Sequence, residues 1–345
     1  MNSLKFLAIL VVACTVVLSG FTLELKASEQ IKVTAETYIR AEVDGRMAVI
    51  QKRAGDRINA FFIIRRPTPV EGQVVVRMNR DTLYGGAVVD TAGGAAVYVP
   101  EMPDDRYFSL YLIDNDHYVV DVITSSGKHK IPEGTTKYVI AVARIQILDP
   151  GDEEELQVIN NLLDQFAIEA KSADKFVPPN WDWNSMMALR DEYEKEFVSY
   201  GQYPADWMDI KGKASEESRH LAAAGAFGLF PETEATYINY TGPKDSSKCY
   251  TATYDVPPNE AFWSISVYGS DAFLKSDNAT INDRTATFNE DGTVTVFFGS
   301  EQACGQKDNR IAITDGWNFL MRVYRPGEQV LKHQYKLPDV SVYAP

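Results

Sequence analysis

The densest grouping of side chains able to do chemistry lies in Arg77-Met-Asn-Arg-Asp-Thr-Leu-Tyr84 and, about thirty residues on, in Asp114-Asn-Asp-His-Tyr118. Apolar runs resembling β-strands flank both strings, and strand ends beside loops are where binding and catalytic groups concentrate. A strand over Gln73 to Met78 would put Val74 and Val76 on one face and Val75 and Arg77 on the other, so Asn79, Arg80 and Asp81 would emerge at its end. There the Arg80 guanidinium could clamp a carboxylate through two parallel hydrogen bonds, with Asp81 orienting it or acting as a base. Equally, Arg80 and Asp81 could form a turn that satisfies backbone groups and holds two strands together.

His117 is the only histidine within a polar cluster. A strand through it would group Asp114, Asp116 and Tyr118 on one face and Asn115 and His117 on the other, so a His117 base would need a carboxylate from elsewhere, with Asp81 the natural candidate. More often such a histidine is a satisfied core group. The candidate ligand-binding set is therefore Asn79, Arg80, Asp81, Tyr84, Asp114, Asp116, Tyr118 and Arg322. The candidate catalytic set is His117, Asp81 and Arg80. Arg322 interrupts the apolar Phe319–Tyr324 run and shares a face with Leu320 and Tyr324, as either a buried charge needing a partner or a second ligand clamp. Trp181, Trp183 and Trp263 could stack on sugar rings, but Trp263 shares a face with Ile265 and Val267 and reads as core. Asp114 and Asp116 could share a calcium ion, yet the glycine and distal glutamate of an EF-hand loop are missing, so no metal and no cofactor are expected. Gly-x-Ser-x-Gly, His-Glu-x-x-His, Cys-x-x-Cys and the Gly-rich nucleotide loops are absent from the sequence.

Elements of two kinds must position these groups. From Thr34 to about Gln51, Tyr38, Ala41, Met47 and Ile50 recur at helical spacing. Short apolar runs then follow at Ala60–Ile64, Gln73–Met78, Ala87–Val89, Ala95–Val99, Tyr107–Ile113, His117–Ile123 and Lys137–Ile147, as in an antiparallel sandwich. Asp152 stands before Glu153-Glu-Glu155 as a helix cap, and further helical faces run through Met186–Tyr200 and from Ser215 toward Gly228. Beyond Tyr237 the strand pattern returns, from Cys249 to Tyr324. The chain thus divides into residues 28–150 (helix and first β-sandwich), 151–232 (helical segment) and 233–345 (second β-sandwich), a mainly β fold with a helical insert.

Lys5, an uncharged run from Phe6 to Leu18 and the small residues before Ser28 describe a signal peptide over residues 1–27, cleaved after Ala27. An uncleaved anchor is the alternative, and Cys14 sits in only a loose lipoprotein-like setting. Export would make the protein periplasmic or secreted. The whole chain carries a formal charge of −14, and cleavage would leave 32 basic against 47 acidic residues, or −15. So acidic a surface disfavours nucleic acid and, after cleavage, membranes as partners, leaving a small-molecule ligand; a homo-oligomer is compatible with the sequence. Cys249 and Cys304 are the thiols remaining after cleavage, and in an exported chain two such cysteines are expected to pair.

Glu36-Thr-Tyr-Ile-Arg40, Arg77–Tyr84 and Asp114–Tyr118 resemble the amino-terminal half of a bacterial family known as domain of unknown function 1254. Ala223–Pro231, Phe262-Trp-Ser264, Asp291-Gly292 and Arg322-Val-Tyr-Arg-Pro326 are similar to its usual partner, domain of unknown function 1214. Phe227 departs from the tryptophan expected there. The resemblance implies two β-sandwich domains, the second of jelly-roll type, and no established activity. Three functions follow as expectations: binding of a small carboxylate-bearing or polyhydroxylated ligand at the first sandwich, hydrolysis by a His117/Asp81 pair with Arg80 stabilising negative charge, or a structural role in the cell envelope.

Overall fold

A computed structural model describes residues 29–344 apart from 74, 75, 104, 105 and 244. The leader and its cleavage point lie outside the described residues.

The first helix spans Ala35–Arg53 and buries Tyr38, Ala41 and Met47 of the expected stripe together with Val43, Glu42, Asp44 and Gln51, while Ile50 is half-buried. Thr37 closes its start by accepting the Thr34 backbone N–H at 2.9 Å. The helix packs on a five-stranded antiparallel sheet ordered Phe62–Ile64, Thr82–Asp90, Tyr138–Gln146, Phe108–Asp114, Val119–Ile123. A three-stranded sheet, Gly127–Lys130, Ala95–Val99 and Ala167–Ala170, covers the opposite face. Leu83, Val89, Leu110 and Leu112 from the larger sheet meet Val97 and Val99 from the smaller, and Leu156, Ile159 and Leu163 of the helix Glu153–Leu163 close this core. Asp152 caps that helix by accepting the Glu154 backbone N–H at 2.8 Å. The first sandwich therefore draws on residues beyond 150, because Ala167–Ala170 pairs with Ala95–Tyr98 and packs Ile168 against its core.

The second domain places a sheet ordered Ala235–Thr241, Asn318–Tyr324, Trp263–Tyr268, Thr280–Asn282 against another ordered Arg310–Ile311, Val294–Phe298, Tyr250–Tyr254, Ser341–Val342. Trp263, Ile265 and Val267 fill the space between them with Val296, Phe298 and Phe319, so Trp263 is core. The two sheets supply the eight strands of a jelly roll, with one short edge pair, Phe297 opposite Arg310, running parallel. Cys249 and Cys304 form a disulfide, their Cα atoms 4.9 Å apart.

Between the domains lie the helices Trp183–Phe197 and Arg219–Gly225. The second is shorter than its sequence pattern predicts and begins after Ser218 instead of Ser215, since residues 216–218 are still in a turn and the Ser218 side chain makes no cap hydrogen bond. The domain interface is aromatic: Phe262 stacks on Tyr324 at 4.1 Å between ring centres, and Tyr107 lies 5.1 Å from Tyr324.

Two local expectations are corrected. The described part of Gln73–Met78 is not strand: Val76 and Arg77 form a turn, with Arg77 at φ 51°. The Arg77 backbone N–H donates to Ala272 O at 2.9 Å and its carbonyl accepts from Arg322 at 2.7 Å, so its backbone hydrogen bonds go to the second domain instead of a strand ladder. Asn79–Asp81 thus leads into a strand, Thr82–Asp90, instead of leaving one. His117, likewise, lies in the turn joining Phe108–Asp114 to Val119–Ile123, at φ 64°. Strand alternation therefore does not arrange residues 115–118.

Candidate anion-binding cleft

A cavity of about 600 Å³ opens between the five-stranded sheet, the interdomain helices and the first sheet of the second domain. Seven arginines line it. Arg46 and Arg53 come from the first helix, Arg66 from the chain after Phe62–Ile64, and Arg77 from the turn before Asn79. Arg144 projects from Tyr138–Gln146, Arg190 from Trp183–Phe197 and Arg322 from Asn318–Tyr324. Glu194 is the carboxylate in the lining. Tyr84, Tyr203, Tyr237 and Tyr324 add aromatic and hydroxyl surface, while Phe197, Phe227, Phe273 and Leu320 add apolar walls.

The arginines differ in how their charge is met. Arg46 and Arg190 share the fully buried Glu42, Arg46 at 2.9 Å. Arg66 pairs with Glu153 near the rim. Arg322 is buried and donates to Ser266 Oγ at 3.0 Å, Tyr268 Oη at 2.8 Å and the Arg77 carbonyl. Asp81 faces it as a counter-charge; burial pushes the Asp81 carboxyl up, and the Arg322 charge pulls it back down. Among the described residues Arg53, Arg77, Arg144 and Arg322 have no carboxylate within ion-pair distance. Arg53 lies 4.4 Å from the centre of the Phe62 ring and Arg144 4.1 Å from that of Phe230, so aromatic faces stand in for anions. Arg77 Nη1 and Arg144 Nε are buried without a hydrogen-bond partner. Burial raises the Glu194 carboxyl, which Arg190 opposes, so Glu194 is a poor counter-ion for this set.

Asn79 and Tyr84 line the cleft, and the Asn79 amide lies 3.0 Å from Tyr84 Oη and 3.2 Å from Tyr324 Oη. Asp81 sits behind this surface, 2 % exposed, accepting from Asn282 Nδ2 at 3.0 Å. Arg80 turns outward to Asp277 at 2.9 Å. The Asp114–Tyr118 turn is a separate cluster. Asp114 Oδ1 accepts the backbone N–H groups of Asp116 and Tyr118, both at 2.9 Å, and the Asp116 carboxylate pairs with Arg40. Tyr118 Oη bonds Glu216 and accepts from Arg219 at 2.9 Å. This turn thereby joins two of the strings that carried the family resemblance, Glu36–Arg40 and Asp114–Tyr118.

His117 is 1 % exposed, with both ring nitrogens lacking a hydrogen-bond partner, and its ring stacks on Phe227 at 4.8 Å. Burial first, then the charges of Arg219 and Arg46, lower its pKa to about 3. The structure therefore brings together Asn79, Tyr84 and Arg322, with Asp81 just beneath, and does not join His117 to Asp81 or Arg80. Among the arginines, sequence reasoning missed Arg144 above all. The signal was present: Arg144 interrupts Ala141-Val-Ala143 and Ile145 as a lone charge in an apolar strand, just as Arg322 interrupts its own.

Two β-sandwich domains meeting at an arginine-lined cleft define a β-rich, two-domain protein. Residues 58–160 match the family model "Protein of unknown function (DUF1254)" and residues 237–328 match "Protein of unknown function (DUF1214)", so the chain belongs to the family that combines these domains. Its fold is similar to that of the VPA0106 protein from Vibrio parahaemolyticus, with a TM-score of 0.65 and 16% sequence identity over 89% of this chain and 98% of that one. A putative uncharacterized protein from Burkholderia cenocepacia is similar at a TM-score of 0.53 and 14% identity, covering 89% of this chain and 86% of that one. None of the curated proteins matches the chain.

Proposed function

We propose that the protein binds a small carboxylate-bearing ligand in the interdomain cleft. The observation that carries this reading is a cavity whose lining holds seven arginines and one glutamate. Arginines so short of carboxylate partners are met most directly by an anion, to which guanidinium hydrogen bonds are short and charge-assisted. The charge of the cleft is also opposite to that of the chain, which is −14 overall. A locally positive pocket inside an acidic protein selects an anion and concentrates it there. Asn79, with the Tyr84 and Tyr324 hydroxyls, adds neutral groups able to fix the orientation of a bound carboxylate.

The test is calorimetric titration of the purified protein, at constant ionic strength, with glutarate and with 1,5-diaminopentane, which has the same span and opposite charge. Glutarate should bind and the diamine should not. Equal binding of both, or binding of the diamine alone, would overturn the reading.

A further inference from the structure

The balance of charge in the cleft sets how many negative charges the occupant brings. Glu153 neutralises Arg66, Asp81 faces Arg322, and Glu42 neutralises one of Arg46 and Arg190. Arg53, Arg77, Arg144 and the second of the Arg46/Arg190 pair then stand against Glu194 alone. The surplus is about three positive charges around one cavity. Like charges lining one cavity repel, and a bound anion relieves that repulsion. A single carboxylate would offset only one.

The surplus charges also come from different walls. Arg144 rises from the sheet of the first domain, Arg77 comes from the turn that meets the second, and Arg53 and Arg46 come from the first helix. A monocarboxylate presents a single anionic group to these walls, whereas an anion with separated carboxylates presents one to each of several. At about 600 Å³ the cavity falls within the 300–1,000 Å³ typical of small-molecule sites and has room for such a ligand.

We infer that the ligand is a polycarboxylate, carrying two or more carboxylates spaced along its length, each held by a different arginine group. This rests on the proposed carboxylate binding and extends it to the charge and shape of the ligand. Pentanoate, glutarate and tricarballylate form a series of similar length with one, two and three carboxylates. Titrated into the purified protein at pH 7.5 and constant ionic strength, they should bind with affinity rising at least tenfold from pentanoate to tricarballylate. In Arg53→Met and Arg77→Met variants, shown to be folded by circular dichroism, that ratio should shrink while pentanoate affinity changes less. Equal affinities across the wild-type series would overturn the polycarboxylate inference and leave carboxylate binding standing. No binding by any of the three would overturn both.

Discussion

The Arg322 guanidinium donates a 2.7 Å hydrogen bond to the backbone carbonyl of Arg77, joining positions 245 residues apart. One side chain of the second domain thus fixes the turn that aims an arginine of the first domain into the cleft. The same side chain holds Ser266 and Tyr268 and supplies the charge facing Asp81.

Arg322→Met should therefore be strongly destabilising. It removes three hydrogen bonds, whose buried partners cost roughly 1–3 kcal/mol each when left unsatisfied, and takes away a charge that helps to keep the buried Asp81 carboxyl ionised. Urea unfolding of both proteins measures it, and a loss under about 1 kcal/mol would show that Arg322 does not hold the domains in register. Adding Asp81→Asn should restore part of the loss, because the stranded carboxylate is then gone.

The disulfide should matter to stability on its own. Cys249 and Cys304 are 55 residues apart, and closing a loop of that length restricts the unfolded chain by roughly 4 kcal/mol on the chain-entropy account. Cys249→Ala/Cys304→Ala should lower the thermal midpoint, and a reductant should lower it for the wild type but leave the variant unmoved.

The pH dependence should carry the mark of His117. An unfolded histidine takes its proton near pH 6.5, whereas the folded one resists until about 3, so its share of stability is complete above pH 6.5 and is lost as the pH falls through that window. Between pH 6.5 and 5 the loss is on the order of 2 kcal/mol. Asp283 works the other way: burial pushes its carboxyl up to about 6, so the folded state takes its proton first and gains stability as the pH falls from 6 toward 4. Asp283 is partly open to solvent, which holds that gain to at most about 1 kcal/mol. His117→Asn, which suits the positive φ, should flatten or reverse the acid slope. Denaturation midpoints at pH 7 and pH 5 give the comparison, and an unchanged slope would remove His117 as its cause.

Export is expected to leave Ser28 as the first residue of the mature chain. Intact mass of protein recovered from the extracytoplasmic fraction should match cleavage after Ala27, and the full-length mass there would instead indicate a retained anchor.

Much of this architecture was legible in the residues. The helix at Ala35–Arg53, the cap at Asp152 and strands such as Ala95–Val99 follow from spacing and turn chemistry that act within a few residues. What could not be read is whatever depends on a partner far along the chain. Val74–Arg77 has strand composition, yet Ala272 and Arg322 take up the Arg77 backbone groups, and their proximity is a property of domain docking. His117 looked like part of a strand because it opens an apolar run, and the enrichment of Asn, Asp and His at left-handed backbone is too weak a signal to break one. The cleft was half legible: Asn79, Tyr84 and Arg322 were recognisable from their strings, while Arg46, Arg53 and Arg190 lie on helices where an arginine usually means a solvated face.

Phe227 has a wider consequence. One side of its ring faces the arginine-lined cavity and the other covers the His117 imidazole, so a single aromatic ring separates a buried, uncharged base from the cleft. Exchanging that ring for a small side chain would open the His117 imidazole, which has no hydrogen-bond partner, to the cavity.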